Sequence, residues 1–185
     1  PFLLTGVLLR LLQYHFCDPN NIDNPLLKGY VWANSAEGCA ADAENPGSRI
    51  LIRASYQRDG ISIQQRPALL VKREPVRFDR IAMLNQALAG RDSLTGVSQG
   101  SRNLIQISGA HSIFALGQSG NEADNLGHEV MFRMVHYMPL IKEDFRLGSF
   151  FPEALSDVQE FGKDAGKGFF AMFRIAWAYV YSWAI

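Results

Sequence analysis

Residues 169–185 read Phe169-Phe170-Ala171-Met172-Phe173-Arg174-Ile175-Ala176-Trp177-Ala178-Tyr179-Val180-Tyr181-Ser182-Trp183-Ala184-Ile185. The odd positions are large and mostly aromatic, and the even ones are mostly smaller. Alternation at a period of two marks a β-strand with one packed face, and Trp, Tyr, Phe, Ile and Val favour a pleated surface. A strand of this length reaches roughly 55 Å at about 3.3 Å per residue, whereas strands usually hold about five or six residues. Part of it is therefore expected outside its own domain's sheet, with an aromatic face or a free edge docked on a neighbouring subunit. Two readings compete: an ordinary core strand for at least the first half, and a membrane helix, which needs about 20 apolar residues. Arg174, the lack of a basic flank and the period of two argue against the helix.

The rest of the composition bounds what such a strand belongs to. At 185 residues the chain is one domain or one domain with extensions, long enough to bury about 70% of its unfolded surface. Lys plus Arg equals Asp plus Glu at 18 each, so no global field draws nucleic acid or anionic lipid. Cys17 and Cys39 form no CxxC, so neither a zinc finger nor a disulfide framework is indicated, and whether the two are bridged stays open. The apolar start, Pro1 to Phe16, lacks a basic beginning and a small-residue cleavage site, and reads poorly as a signal peptide. Pro1 stands first, so an initiator methionine is expected before it.

Outward from the last strand, the pattern predicts seven elements in the order α–β–β–α–β–α–β. Thr5 caps a helix over 6–16, with Leu8, Leu11, Leu12 and His15 on one face, and Asp18-Pro19-Asn20-Asn21 stops it. Residues 33–48 are small and polar and read as an extended loop. Arg49–Tyr56 and Pro67–Arg73 read as strands. Phe78–Leu88, apolar at 78, 81, 84 and 88, reads as a short amphipathic helix. Leu104–Leu116 reads as a strand bent at Gly109. A helix capped by Asn121 carries Leu126, Val130, Met134 and Tyr137 or Met138 on one stripe and ends at Pro139. Residues 148–158 read as a connector with a short helical turn near Ser156, and 161–168 as a loop. The expected fold is a single α+β domain over 1–185, a mixed or antiparallel sheet of about four strands flanked by two or three helices.

No constellation assembles a nucleophile, a base and its orienter. Gly96-Val97-Ser98-Gln99-Gly100 matches the nucleophile-elbow pattern, but a polar loop precedes it and a strand-like run follows, the inverse of the context the chemistry needs. A serine hydrolase using Ser98 is the rival reading. His128-Glu129 begins like a zincin helix, yet Phe132 stands where the second ligand belongs. His128 and His136, with Glu122 and Glu129, read as a solvated or interface face, and His111 as a satisfied structural histidine. Gly162, Lys163, Gly166, Lys167 and Gly168 lack the Ser or Thr of a phosphate loop. No metal or cofactor site and no catalytic residue is expected. Arg49, Arg53 and Arg58 lead a basic stretch through Arg80 that faces DNA phosphates or an acidic partner, or else guards a solvated strand edge.

The run Arg66–Arg73 (RPALLVKR), the strand 107–113 (ISGAHSI) and the helix 122–130 (EADNLGHEV), followed by a Phe145 segment and a terminal strand, resemble the tail terminator (tail-completion) and neck proteins of tailed bacteriophages over roughly residues 50–185. The resemblance implies a non-catalytic α+β subunit of a homo-oligomeric ring, commonly a hexamer, that caps the tail tube and joins it to the head connector. It implies a virion protein assembled in the host cytoplasm, with genomic DNA passing through the ring without sequence specificity. The amino-terminal helix, the 33–48 loop and the aromatic last strand depart from the family core and leave a connector, collar or baseplate component as the alternative. Residues expected at the subunit contact are Phe173, Trp177, Tyr179, Tyr181 and Trp183, with Arg49, Arg53 and Arg58 facing DNA or a partner.

Overall fold

The period-two run forms one strand of 17 residues, β7 (Gly168–Ala184), and the rest of the sheet is laid along it. In the computed structural model, which describes residues 2–32, 49–55, 67–80, 102–162 and 168–184, β7 pairs antiparallel with β4 (Arg102–Gly117) in an unbroken register from Arg102↔Ala184 to Gly117↔Phe169. The order across the sheet is β1 (Leu51–Ala54), β2 (Ala68–Arg73), β4, β7, β5 (Ser149–Leu155), with β3 (Arg77–Arg80) on β4 and β6 (Gln159–Phe161) on β7, seven strands among the described residues. The β1–β2 pair is parallel and the other pairs are antiparallel. The α+β class is as the sequence implied, and the sheet is larger than expected.

Two helices cover one face. α1 (Phe2–Cys17) presents Leu4, Leu8, Leu12 and Phe16, and α2 (Gly120–Asp144) presents Leu126, Val130, Met134, Met138 and Ile141. Both stripes follow the three-to-four spacing of a one-sided helix. They close on Leu69, Val71, Ile113, Ala115, Phe173 and Ile175, which alternate along their strands. Each large side chain among them contributes about 1.5–3 kcal/mol through burial, which is why the large positions of β7 point inward here.

Several local expectations give way to this sheet. The predicted helix from Phe78 is instead strand β3 at its start, registered Arg77↔Ser108 to Arg80↔Ile105, while 81–101 lie outside the described residues. Pairing along a long neighbouring strand outweighs a short 3.6-residue pattern, because strand preference depends on context more than on the residues themselves. The predicted connector and helical turn near Ser156 form β5 and β6; Pro152 is accommodated at a register shift between Pro152 and Ala154 on an edge strand, as prolines in sheets require. α2 is capped two residues earlier than Asn121: Ser119 Oγ accepts from the Glu122 N–H at 3.2 Å, and the Glu122 carboxylate accepts from the Gln118 N–H. This is a variant of the capping box, Ser119-x-x-Glu122, in which the glutamate takes the N–H of the residue before the cap. The helix also runs through Pro139 to Asp144, since Pro139 is exposed while Met138 and Ile141 are buried. Val135, whose carbonyl the proline frees, is exposed too, and packing on the sheet holds the helix beyond it. α1 begins before Thr5, which is buried rather than capping. Gly109 does not break β4 either; the register passes straight through it.

α2 also carries a second, polar seam. Residues 122, 125, 129 and 133, three to four apart, hold the segment that follows α1. The Tyr30 hydroxyl donates to Glu122, Asn24 Nδ2 donates to Asn125 Oδ1 at 2.8 Å, and Arg133 donates to the Asn21 carbonyl. Burial and the Glu122 carboxylate push the Tyr30 phenol up to about 12. Glu129 is the centre of the seam. His15 Nε2 lies 2.8 Å from its Oε1 with both side chains buried, and the backbone N–H groups of Asp23 and Asn24 donate to its two oxygens at 3.3 Å. Burial alone raises a carboxyl, but the His15 bond and the two N–H donors overcome it and hold Glu129 below the usual range. Cys17, at the end of α1, is disulfide-bonded, and the sequence holds one other cysteine, Cys39.

Candidate functional site

Burial along β7 divides the strand. Phe173 and Trp177 are 1% and 5% exposed, so the chain's own core takes them, a correction to their expected place at a subunit contact. Past Trp177 no described side chain on β7 is buried, and none from Ile105 to Gly109 on β4. The β5 ladder begins at Ser149↔Ala178, so no described strand continues along that side of β7 beyond Ala178. What projects is a three-stranded blade of β3, the first half of β4 and the last third of β7. Its rows run Phe78–Ile107–Tyr179 and Arg80–Ile105–Tyr181. Phe78 is 65% exposed, Tyr181 49% and Val180 45%, and the rings of Tyr179 and Tyr181 lie 6.5 Å apart on one face. Trp183 pairs opposite Asn103 in the backbone ladder; its side chain lies outside the described part.

The root of the blade is fixed by an interlocked group. The Trp177 indole lies over Gly109, where a Cβ would come within 2.7 Å of the ring. Its N–H donates to His111 Nδ1 at 3.1 Å, and His111 Nε2 lies 2.8 Å from Thr5 Oγ1. Nδ1 accepts from the indole, so Nε2 carries the proton and the ring is neutral. Burial, helped by the nearby positive charge of Arg73 and opposed by Glu74, pushes His111 down to about 4. The expectation of a satisfied structural histidine therefore describes this ring. From pH 6.5 down to 4 the unfolded chain takes a proton that the folded chain refuses, so stability falls as pH falls through that window. The loss is on the order of 3 kcal/mol at full burial. Thermal melts at pH 6.5 and 4.5 should show it, and His111→Gln should remove most of the slope in that interval. Glu74 and Glu129, both held low, contribute their part above the ordinary carboxylate range and lose it only as pH falls further.

The opposite sheet face carries Arg174, which the sequence showed only as an interruption. Its guanidinium bridges Glu74 at 3.1 Å and Glu153 at 2.5 Å, tying the β2–β3 link to β7 and β5. The buried Ser112 hydroxyl donates to Glu74 Oε1 at 2.6 Å, and that bond, with Arg174, holds the Glu74 carboxyl low. Beside this clamp lies an open trough of about 690 Å3 lined by Arg77, Ser108, Ala110, Phe151, Ala176 and others. Farther along, Phe114, Phe161 and Phe170 meet with centroids 5.9 Å apart. The clamp carboxylates are engaged with a cation, and no His, Cys, Asp or Glu group able to hold a metal occurs among the described residues.

Arg49 and Arg53 are exposed at the β1 edge; Arg58 lies outside the described residues, as do Ser98 with its glycines and the 33–48 loop. His128 is about half exposed and bonds the Asp124 carbonyl at 3.0 Å, and His136 is exposed, while Glu129, grouped with them in the sequence, is buried. No protein-family model and no curated protein matches the chain. Among the described residues, no helix is long and apolar enough to cross a membrane.

Proposed function

We propose that this chain is a ring-forming structural subunit of a tailed-bacteriophage virion, a tail terminator or neck component that joins the tail tube to the head connector and performs no catalysis. The observation that carries the reading is the blade. A strand whose first half is buried in its own core continues outward uncharged, with exposed Val180 and Tyr181 and no described strand along its outer side. Unguarded edges recruit strands, and exposed aromatics rimmed by polar groups anchor partners. A closed ring uses such surfaces and leaves none bare. The family-like order of strands and helices extends the same reading to DNA passing through the ring, with Arg49 and Arg53 as the exposed cations that face phosphates or a neighbouring component. The neutral balance of charge suits a subunit packed against its own copies, since near-zero net charge favours association. Mass measurement on the purified full-length protein tests it: the expected result is a closed species of fixed stoichiometry, a hexamer, and a monomer at every accessible concentration overturns the reading.

A further inference from the structure

We infer that neighbouring copies join helix to sheet, the outer side of α2 in one copy seated in the open trough of the next. The inference rests on the ring reading and names its contact. α2 carries a second apolar stripe, opposite the one that packs on its own sheet. Phe132, Val135, His136, Pro139 and Leu140 stand at i, i+3, i+4, i+7 and i+8, one side of a helix, and all five are exposed. Phe132 is 65% exposed, Leu140 56% and Val135 45%. The outer side of a surface helix is charged or polar as a rule, and a helix apolar on both sides is covered on both.

The trough has the complementary shape. At its level β3, β4, β7 and β5 lie side by side, paired Arg77↔Ser108, Ser108↔Ala178 and Ala178↔Ser149. Its walls therefore stand three strand spacings, about 14 Å, apart. From the Arg174 row to the Gln106 row is about 20 Å. A helix with its side chains is about 10–12 Å wide, and Phe132 to Leu140 rises about 12 Å. The floor is made of small residues, Ser108, Ala110, Ala176 and Ala178, with Arg77 on one wall and Phe151 on the other. Large side chains of one layer set over small ones of the next interdigitate without voids.

Placement agrees with shape. α2 packs across β4, β7 and β5, and the trough lies on the opposite side of the same strands. Copies stacked along the sheet normal therefore bring α2 onto it. The two surfaces differ, so the contact is head-to-tail, the type that closes into rings. A two-fold pairing of α2 with α2 suits the stripe less. The stripe is centred on His136, so that pairing sets the imidazole against its own copy at the middle of the contact and leaves the trough bare. The trough offers it the hydroxyls of Ser108 and Ser149 instead.

Two single variants of the full-length protein test this. Phe132→Glu puts a carboxylate on the stripe, and Ala178→Glu puts one on the trough floor. Thermal melts check that each variant folds, and Ser108→Glu, paired opposite Ala178, takes the place of Ala178→Glu if that one does not. Each alone is expected to remain monomeric where the wild type assembles. Mixed in equal amounts they are expected to form a one-to-one dimer of twice the chain mass, because Phe132→Glu keeps an intact trough and Ala178→Glu an intact α2. Assembly by Ala178→Glu alone overturns the inference in favour of α2–α2 pairing, and two monomeric variants that do not complement each other overturn it too. Rings formed by Phe132→Glu as readily as by wild type overturn the inference and leave the ring reading standing, whereas a wild-type monomer removes both.

Discussion

Glu129→Ala lowers the stability of the fold by about 3–5 kcal/mol, because three groups lose one charged acceptor and a hydrogen bond to a charged group contributes about 1.5–3 kcal/mol. The reason lies in what is left behind. His15, 1% exposed, loses the acceptor of its Nε2–H, and its Nδ1 already has no partner among the described residues. The Asp23 and Asn24 N–H groups lose theirs as well. All of them lie on the segment between α1 and the first strand, so the loss concentrates where that segment is held to α2. A fall in melting temperature on the order of 10 °C follows for a chain of this size. Glu129→Gln keeps an acceptor oxygen and sacrifices mainly the charge-assisted part, so it should cost about 1.5–3 kcal/mol. A melting temperature unchanged in Glu129→Ala would show that the seam is not structural.

Gly109→Val destabilises by the opposite route, too much volume. The first carbon of any side chain there meets the Trp177 ring at 2.7, 3.1 and 3.4 Å. The ring is buried and hydrogen-bonded to His111, so it cannot swing aside at small cost. Overpacking of this kind costs about 1–3 kcal/mol, with alanine toward the low end and valine toward the high end. The displaced indole gives up its bond to His111, and the root of the blade loses its register against α1. Denaturant midpoints measure the stability, and near-ultraviolet circular dichroism reports the tryptophan environment. Because Trp177 lies next to Tyr179 on the projecting strand, assembly should weaken in the same variants. Wild-type stability with an unmoved indole signal contradicts the described packing.

The parts of the fold legible in the sequence were those written as repetition. β7 announced itself by seventeen alternating positions, and the stripes of α1 and α2 by apolar spacing. What stayed hidden was set by partners distant in the chain. β3 is a strand because β4 runs past it; in isolation its apolar spacing reads as a helix. Pro139 reads as a stop signal until one knows that Met138 and Ile141 have a sheet to rest on. Glu129 reads as solvated because its partner, His15, is 114 residues away. A signal was present even there, since 122, 125, 129 and 133 share one helical face and all carry polar groups, but nothing local says whether such a face meets water or protein. Ser119-x-x-Glu122 was a local signal that Asn121 obscured.

The candidate surface was legible in the same uneven way. Large alternating residues placed β7 correctly but could not say where the core ends. Phe173 and Trp177 fall inside it and Tyr179 and Tyr181 beyond it, because α1, α2 and β5 stop there. Phe78 and Val180 went unnoticed, since exposure of a single apolar residue has no sequence signature. Arg174 looked like an intruder in an apolar run and is the cation between two carboxylates.

Class-averaged electron micrographs of the purified full-length protein test the central claim most directly, that β7 is buried in its own chain at one end and covered by another copy at the other. The account predicts closed rings of uniform subunit number. Single separate particles at every concentration, or pairs related by a two-fold axis, would contradict it.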